Sequence, residues 1–282
     1  MSLTWESVDS LLTALVGIAT TGLIHGTVLA VVTAILCATV LRRARPALLA
    51  ALWTIVLCKF LVPLGPELPM SLSGLLDTLL YGASAATASG HAAPVAMPAA
   101  AGAGSLADTL WRAMVLCLWL AYGGVATWLL VRRLRAHRRL ARAAAAYPAA
   151  PSALAARVAE VARQVGLARL PAVRVSERAS SPQVVGVWRP TLIVPRWLWA
   201  EQPRAALDAA LLHELAHLCR FDTWLRALQL LVATLFWFWP VVYWVNRRID
   251  TYREMACDQW AIASGPLSAG AYARMLVTFA RR

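Results

Sequence analysis

A chain of 282 residues that is 60% hydrophobic and only 15% charged does not match an ordinary soluble domain, in which about a quarter of the residues are charged. The formal charge of +13 would suit a nucleic-acid binder, but its cations cluster beside apolar runs, so direct nucleic-acid binding is not expected. Five cysteines make no disulfide framework. Cys37, Cys58 and Cys117 fall in apolar runs, where a thiol is a small apolar side chain, and Cys219 and Cys257 are read chiefly as buried packing groups.

The first predicted membrane span covers 11–41, enough for a hydrocarbon core that takes roughly 20 helical residues. It is too long for a secretory leader, and its basic cluster, Arg42, Arg43 and Arg45, follows the run instead of preceding it. A second span is predicted over 47–64 and a third over 110–131, the latter followed by Arg132, Arg133, Arg135, Arg138 and Arg139. Neither 1–10 nor 65–108 contains Lys or Arg. The positive-inside rule then places the N-terminus and the 65–108 loop outside, and starts everything after Arg132 in the cytoplasm. The basic clusters would meet anionic lipid. Residues 82–104 read as a low-complexity external loop with His91 solvated. His25 is expected to bond within its helix bundle, and Lys59 to snorkel to the outer interface.

Residues 136–223 read as a small α+β unit. Ser152 is expected to cap a helix carrying Leu154, Val158, Val161 and Val165 and ending at Gly166. Short strands are predicted over 172–175, 184–187 and 191–194, the last two joined through Trp188-Arg189-Pro190. Pro203 suits the first turn of a further helix, on which Leu207, Leu211 and Leu215 lie opposite His213 and His217.

That helix carries His213-Glu214-Leu215-Ala216-His217. Residues four apart share a helix face, so both imidazoles can reach one metal ion, with Glu214 beside them to take a proton from water. Alone the pattern is only moderately specific. It gains weight from the downstream stretch Glu254-Met255-Ala256-Cys257-Asp258, because a catalytic zinc site needs three protein ligands and one open position. His213, His217 and Glu254 are the expected ligands of one Zn2+ per chain, and Glu214 is the expected catalytic base. Asp258, one turn beyond Glu254, is suited to accept the free N–H of a ligand histidine. Cys219 and Cys257 remain alternative ligands. Arg220, Asp222, Arg247 and Asp250 are expected to form local ion pairs at the membrane surface.

A straight crossing at 224–245 would put Glu254 on the far side of the membrane from His213. Phe236-Trp237-Phe238-Trp239-Pro240 interrupts that run, and proline breaks a helix. Arms of roughly 15 residues reach about 22 Å, short of a core of about 30 Å. A membrane-dipping hairpin over 224–263 is therefore expected, followed by a C-terminal helix within 264–282. The strands at Val184, Val185, Gly186 and Val187 and at 191–194 are expected to offer an edge to an extended peptide substrate.

These blocks resemble the integral-membrane zinc metallopeptidases of the penicillin-sensing antirepressor (BlaR/MecR-type) family. The resemblance rests on Ser181-Pro182 to Gly186, Arg189-Pro190 to Pro195, and His213–His217 with Arg220 and Asp222. Phe236–Pro240, Arg247-Arg248 and Glu254 with Cys257-Asp258 complete it, in similar order and spacing from about Ser152 to Phe279. It implies a mostly α, multi-pass protein of the bacterial plasma membrane with a small cytoplasmic α+β zincin-like (gluzincin-type) metallopeptidase unit. It also implies cleavage of a cytosolic winged-helix-type repressor after an external signal, with the same ligand and base assignments. The best-known members continue into an external penicillin-binding domain. This sequence ends at Arg282 without a Ser-x-x-Lys motif, so direct β-lactam sensing is not expected. Two other functions fit: a membrane quality-control zinc protease, and a non-catalytic transducer with structural zinc. Glu214 counts against the transducer, and a homodimer is compatible with each.

Overall fold

Among the described residues the first half of the chain is largely apolar helix, the form that satisfies its own backbone hydrogen bonds in a hydrocarbon environment. The computed structural model describes residues 5–61 and 106–281. The end of the expected second span at 62–64, most of the expected external loop and its His91 lie outside the described residues. Helix α1 covers Trp5–Thr39, α2 covers Pro46–Leu61 and α3 covers Leu106–Ala146. Thr20–Thr39 and Thr109–Ala146 are long and apolar enough to cross a membrane, whereas α2 is a shorter apolar helix. Ile24, Ile35, Ile55, Leu118, Leu120 and Trp128 are 58–66% exposed, a surface suited to lipid rather than water. Hydroxyls in these helices bond inwards, as Thr27 does to the Leu23 carbonyl (2.6 Å) and Thr54 to that of Ala50 (2.7 Å). Helix α3 continues without a break past the basic cluster to Ala146.

Contacts divide the chain into two units, Met1–Ala19 with Val62–Val125, and Thr20–Leu61 with Ala126–Arg282. The second unit holds every residue of the candidate site. It also holds the remaining elements: α4 (Ser152–Gln164), β1 (Ala172–Ser176), β2 (Gln183–Val185), β3 (Thr191–Pro195) and α5 (Arg196–Glu201). They are followed by α6 (Arg204–Cys219), α7 (Asp222–Leu235), α8 (Pro240–Ser264) and α9 (Ala269–Ala280).

One core of this unit joins α1, α2, α7 and α8 through Ala30, Trp53, Val56, Leu57, Phe60, Val232, Val242, Val245 and Ile249. Trp53 meets Trp244 edge-on at 5.1 Å, and Phe60 meets Phe236 at 5.7 Å. Gly26 permits the approach of α1, since a Cβ there would lie 2.7 Å from the Phe60 ring. The chain turns between α7 and α8 at 236–239, and Pro240 opens α8, where its missing N–H costs nothing. The arms then run back together: Gln229 Nε2 donates to the Asn246 carbonyl (3.3 Å) and to Asp250 Oδ1 (3.2 Å).

The second core packs α4, α5, α6, α9 and the end of α8 on one face of the sheet. Leu154, Val158, Leu192, Val194, Leu207, Leu211 and Leu215 are all below 5% exposed, which realises the apolar faces read from their spacing. Arg157 makes a two-pronged ion pair with Asp208, through Nε–Oδ1 at 2.6 Å and Nη2–Oδ2, and so ties α4 to α6. Ser152 does not cap α4: it is the first helical residue, Pro151 occupies the cap position, and no side chain bonds there. Pro203 likewise sits at the cap of α6, one residue before the first turn.

The strands order as β1-β3-β2, with β3 parallel to β1 and antiparallel to β2. Strand β3 is therefore central, and the expectation that 191–194 offers a free edge is corrected: both its edges are occupied. Only β2 can present one on this side. Strand β2 also ends at Val185, because Gly186 adopts φ +100 and a Cβ there would lie 2.8 Å from the Arg189 carbonyl oxygen. Gly186 and Val187 thus lie in the connecting loop rather than in the strand.

Candidate metal centre

Helix α6 supplies His213 and His217 from one face, while its opposite face is buried at Leu207, Leu211 and Leu215. The two imidazoles stand nearly perpendicular, with centroids 5.0 Å apart. Helix α8 delivers the third group. Glu254 Oε2 lies 3.5 Å from His213 Nε2 and 3.6 Å from His217 Nε2. One donor atom from each of these side chains falls within 4.8 Å of the others. Two imidazole nitrogens and a carboxylate oxygen are a zinc donor set. The residues therefore fit the ion.

The reach of α8 explains the convergence. At about 1.5 Å per residue its 25 residues extend about 37 Å, with Val242, Val245 and Ile249 in one core and Ala261 in the other. Glu254, Cys257 and Asp258 fall between them, one turn apart on one face. Arg253, 2% exposed, lies 3.3 Å from Asp250 and donates to Glu254 Oε1 at 3.0 Å, leaving Oε2 for the histidines. Asp250 therefore pairs locally, and its partner Arg253 braces a site carboxylate that sequence reading did not connect to it.

Both candidate ligand histidines are held from behind. His213 Nδ1 lies 3.0 Å from Asp258 Oδ1 and 3.1 Å from the Tyr272 hydroxyl, which donates to the same Asp258 oxygen at 2.8 Å. His217 Nδ1 lies 2.7 Å from Asp222 Oδ2, with Cys257 Sγ 3.3 Å from the same nitrogen. These acceptors place the Nδ1 protons and turn the Nε2 atoms towards Glu254. Burial opposes charge on both rings, but the surrounding acids prevail. His213 is raised to about 9, by Asp258, Glu254 and Glu214, and His217 to about 11, by Asp222, Cys257 and Glu254. The two histidines, with Arg253, hold Glu254 far below the usual carboxylate range. Without metal the set thus carries ring protons, which a dication would displace.

Glu214 is raised to about 7 by burial, against the opposing pull of His213 and His217, and the backbone N–H of Val184 bonds to it. The edge of β2 thus faces the candidate base. Of the four residues expected to bind substrate, Val184 lies at this edge and Val185 is buried (6% exposed). Gly186 and Val187 follow in the loop.

Asp222 departs from expectation in part. It forms the expected ion pair with Arg220 (Nε at 3.6 Å), but it is buried, 4% exposed, rather than at the surface, and it also bonds to His217. Phe221 adopts the left-handed conformation (φ 57) between α6 and α7, and this sharp turn brings Asp222 back against the end of α6. Cys257 is buried, as expected, yet it also touches the His217–Asp222 pair, 3.7 Å from Asp222. Cys219 bonds instead to the Val165 carbonyl (3.6 Å). Tyr272 was not anticipated, since no motif marks it. The nearest signal was an acid five residues after His217, and a tyrosine on the apolar face of the last helix.

A 96-residue stretch, 34% of the chain, is 30% identical to the Regulatory protein BlaR1 of Bacillus licheniformis, and spans only 15% of that protein's length. The pattern of the family described as BlaR1 peptidase M56 matches residues 18–281. On that match, over nearly its whole length, the chain belongs to the BlaR1 peptidase M56 family.

Proposed function

We propose that this chain is a zinc endopeptidase of the bacterial plasma membrane that cleaves a cytosolic winged-helix-type repressor in signal-induced gene regulation. The observation that carries the reading is the convergence of His213, His217 and Glu254, with Glu214 beside them under the edge of β2. The regulatory role draws on the name of the Bacillus relative, and the membrane on the apolar helices. N-terminus outside and site inside follow from the basic clusters. On this reading α7 and α8 form a hairpin that dips into the membrane and returns.

His213, His217 and Glu254 would hold the ion, which when bound would polarise the scissile carbonyl and acidify water. Glu214 accepts the proton of the attacking water and delivers it to the departing nitrogen, a role suited to a carboxylate raised towards neutrality. Asp258 and Asp222 keep the imidazoles in one tautomer and orientation. An extended substrate pairs along β2, which brings its backbone past the base.

Metal analysis of the purified chain tests the ligand set. About one zinc per chain is expected in the wild type, with strong loss in His213→Ala, His217→Ala and Glu254→Ala. Full zinc retention in Glu254→Ala would remove that residue as a ligand and turn attention to Cys257.

A further inference from the structure

We infer that Tyr272 is a positioning residue for the metal centre, and that docking of helix α9 and binding of zinc therefore favour one another. The inference rests on the zinc reading of the site. Tyr272 and Met275 are the buried residues of α9, at 2% and 8% exposure. Phe279 adds an edge contact to Trp197 at 5.1 Å. Most of the other α9 side chains face outwards, so a few anchors hold the helix. One of them reaches the centre.

Asp258 is one-third exposed, and a carboxylate so placed can turn to solvent. Two donors stop it: the Tyr272 hydroxyl (2.8 Å) and His213 Nδ1 (3.0 Å) meet on the same Oδ1. Removing the hydroxyl frees the carboxylate, and His213 then loses the partner that fixes its ring. Undocking α9 would do the same without any change of sequence. Tyr272 reaches the centre from behind His213, through Asp258 Oδ1 (2.8 Å) and His213 Nδ1 (3.1 Å), on the opposite side of the ring from the Nε2 that meets Glu254. Linkage makes the effect reciprocal: if docked α9 strengthens zinc binding, zinc must hold α9 down.

The test uses the full chain in detergent or nanodiscs, with zinc alone as the probe. Zinc affinity is measured by chelator competition, and amide exchange over 269–280 is followed with and without zinc. In the wild type zinc should slow exchange in α9. Tyr272→Phe should weaken zinc about tenfold, the low end of the roughly 10- to 100-fold typical of partners behind a ligand, and should abolish the protection of α9. Met275→Ala, which loosens the helix but keeps the hydroxyl, should weaken zinc in the same direction. Unchanged affinity in Tyr272→Phe, or α9 exchange indifferent to zinc, would overturn the coupling while leaving the zinc reading intact. A wild-type chain that binds no zinc would overturn both.

Discussion

Asp222 and Asp258 give the two proposed ligand histidines matching supports from different elements, and their loss should be felt in metal affinity before stability. Asp222→Ala removes the acceptor 2.7 Å from His217 Nδ1 and leaves Cys257 as a poorer partner. Zinc affinity should fall roughly 10- to 100-fold, read by chelator competition, with the thermal midpoint little changed in excess zinc. At Glu214, burial lifts the carboxyl to about 7, and only the ionised form can accept a proton. The acid limb of kcat/KM should therefore have its midpoint near pH 7, or lower once a dication adds its field, and activity should fall as pH drops through it. A rate independent of pH from 5 to 8 would remove Glu214 as the base. His213, Glu214 and His217 were legible in sequence because one helical turn puts the imidazoles on one face. Asp222 was not, because its role depends on the left-handed Phe221. Tyr272 was not, because it returns from a different helix, 59 residues beyond His213.

Among the elements, the small sheet carries the sharpest substrate prediction. Proline at Val184 removes the N–H that bonds Glu214 from the free edge of β2. A hydrogen bond to a charged group is worth about 1.5–3 kcal/mol, so cleavage should fall roughly 10- to 100-fold while zinc content stays normal. Unchanged cleavage would count heavily against the Val184 edge as a support of Glu214. Proline at Thr191 should behave differently, because β3 is central and loses ladder bonds, so the unit itself should destabilise. Strand positions were readable from β-branched runs, but their order was not, since pairing depends on a parallel return of β3 beside β1. The Arg157–Asp208 pair was also invisible in sequence. Its side chains are 17% and 10% exposed, and Arg157→Met strands a buried carboxylate, at a cost of about 3 kcal/mol. A clear drop in Tm should report it.

At the scale of the molecule, the apolar run between His217 and Glu254 has to fold back on itself to bring the proposed ligands together. The turn at 236–239 and the Gln229 bonds to Asn246 and Asp250 return α8 beside α7. The proline-centred break announced that turn in sequence. The continuation of α3 to Ala146 was not announced, because nothing in the basic cluster stops a helix. Labelling of single cysteines near Thr223 and Asp250, on a cysteine-free background in membranes, should occur from the same side. Labelling from opposite sides would separate Glu254 from His213 and dismantle the site. Catalysis by Glu214 at a zinc centre is tested by zinc content and proteolysis of Glu214→Gln, measured side by side. The amide keeps nearly the same shape but cannot take the proton of water, and general acid–base help is worth about 100- to 10,000-fold. Full zinc with loss of cleavage near the upper end of that range is predicted. Zinc retained with cleavage undiminished would contradict the account.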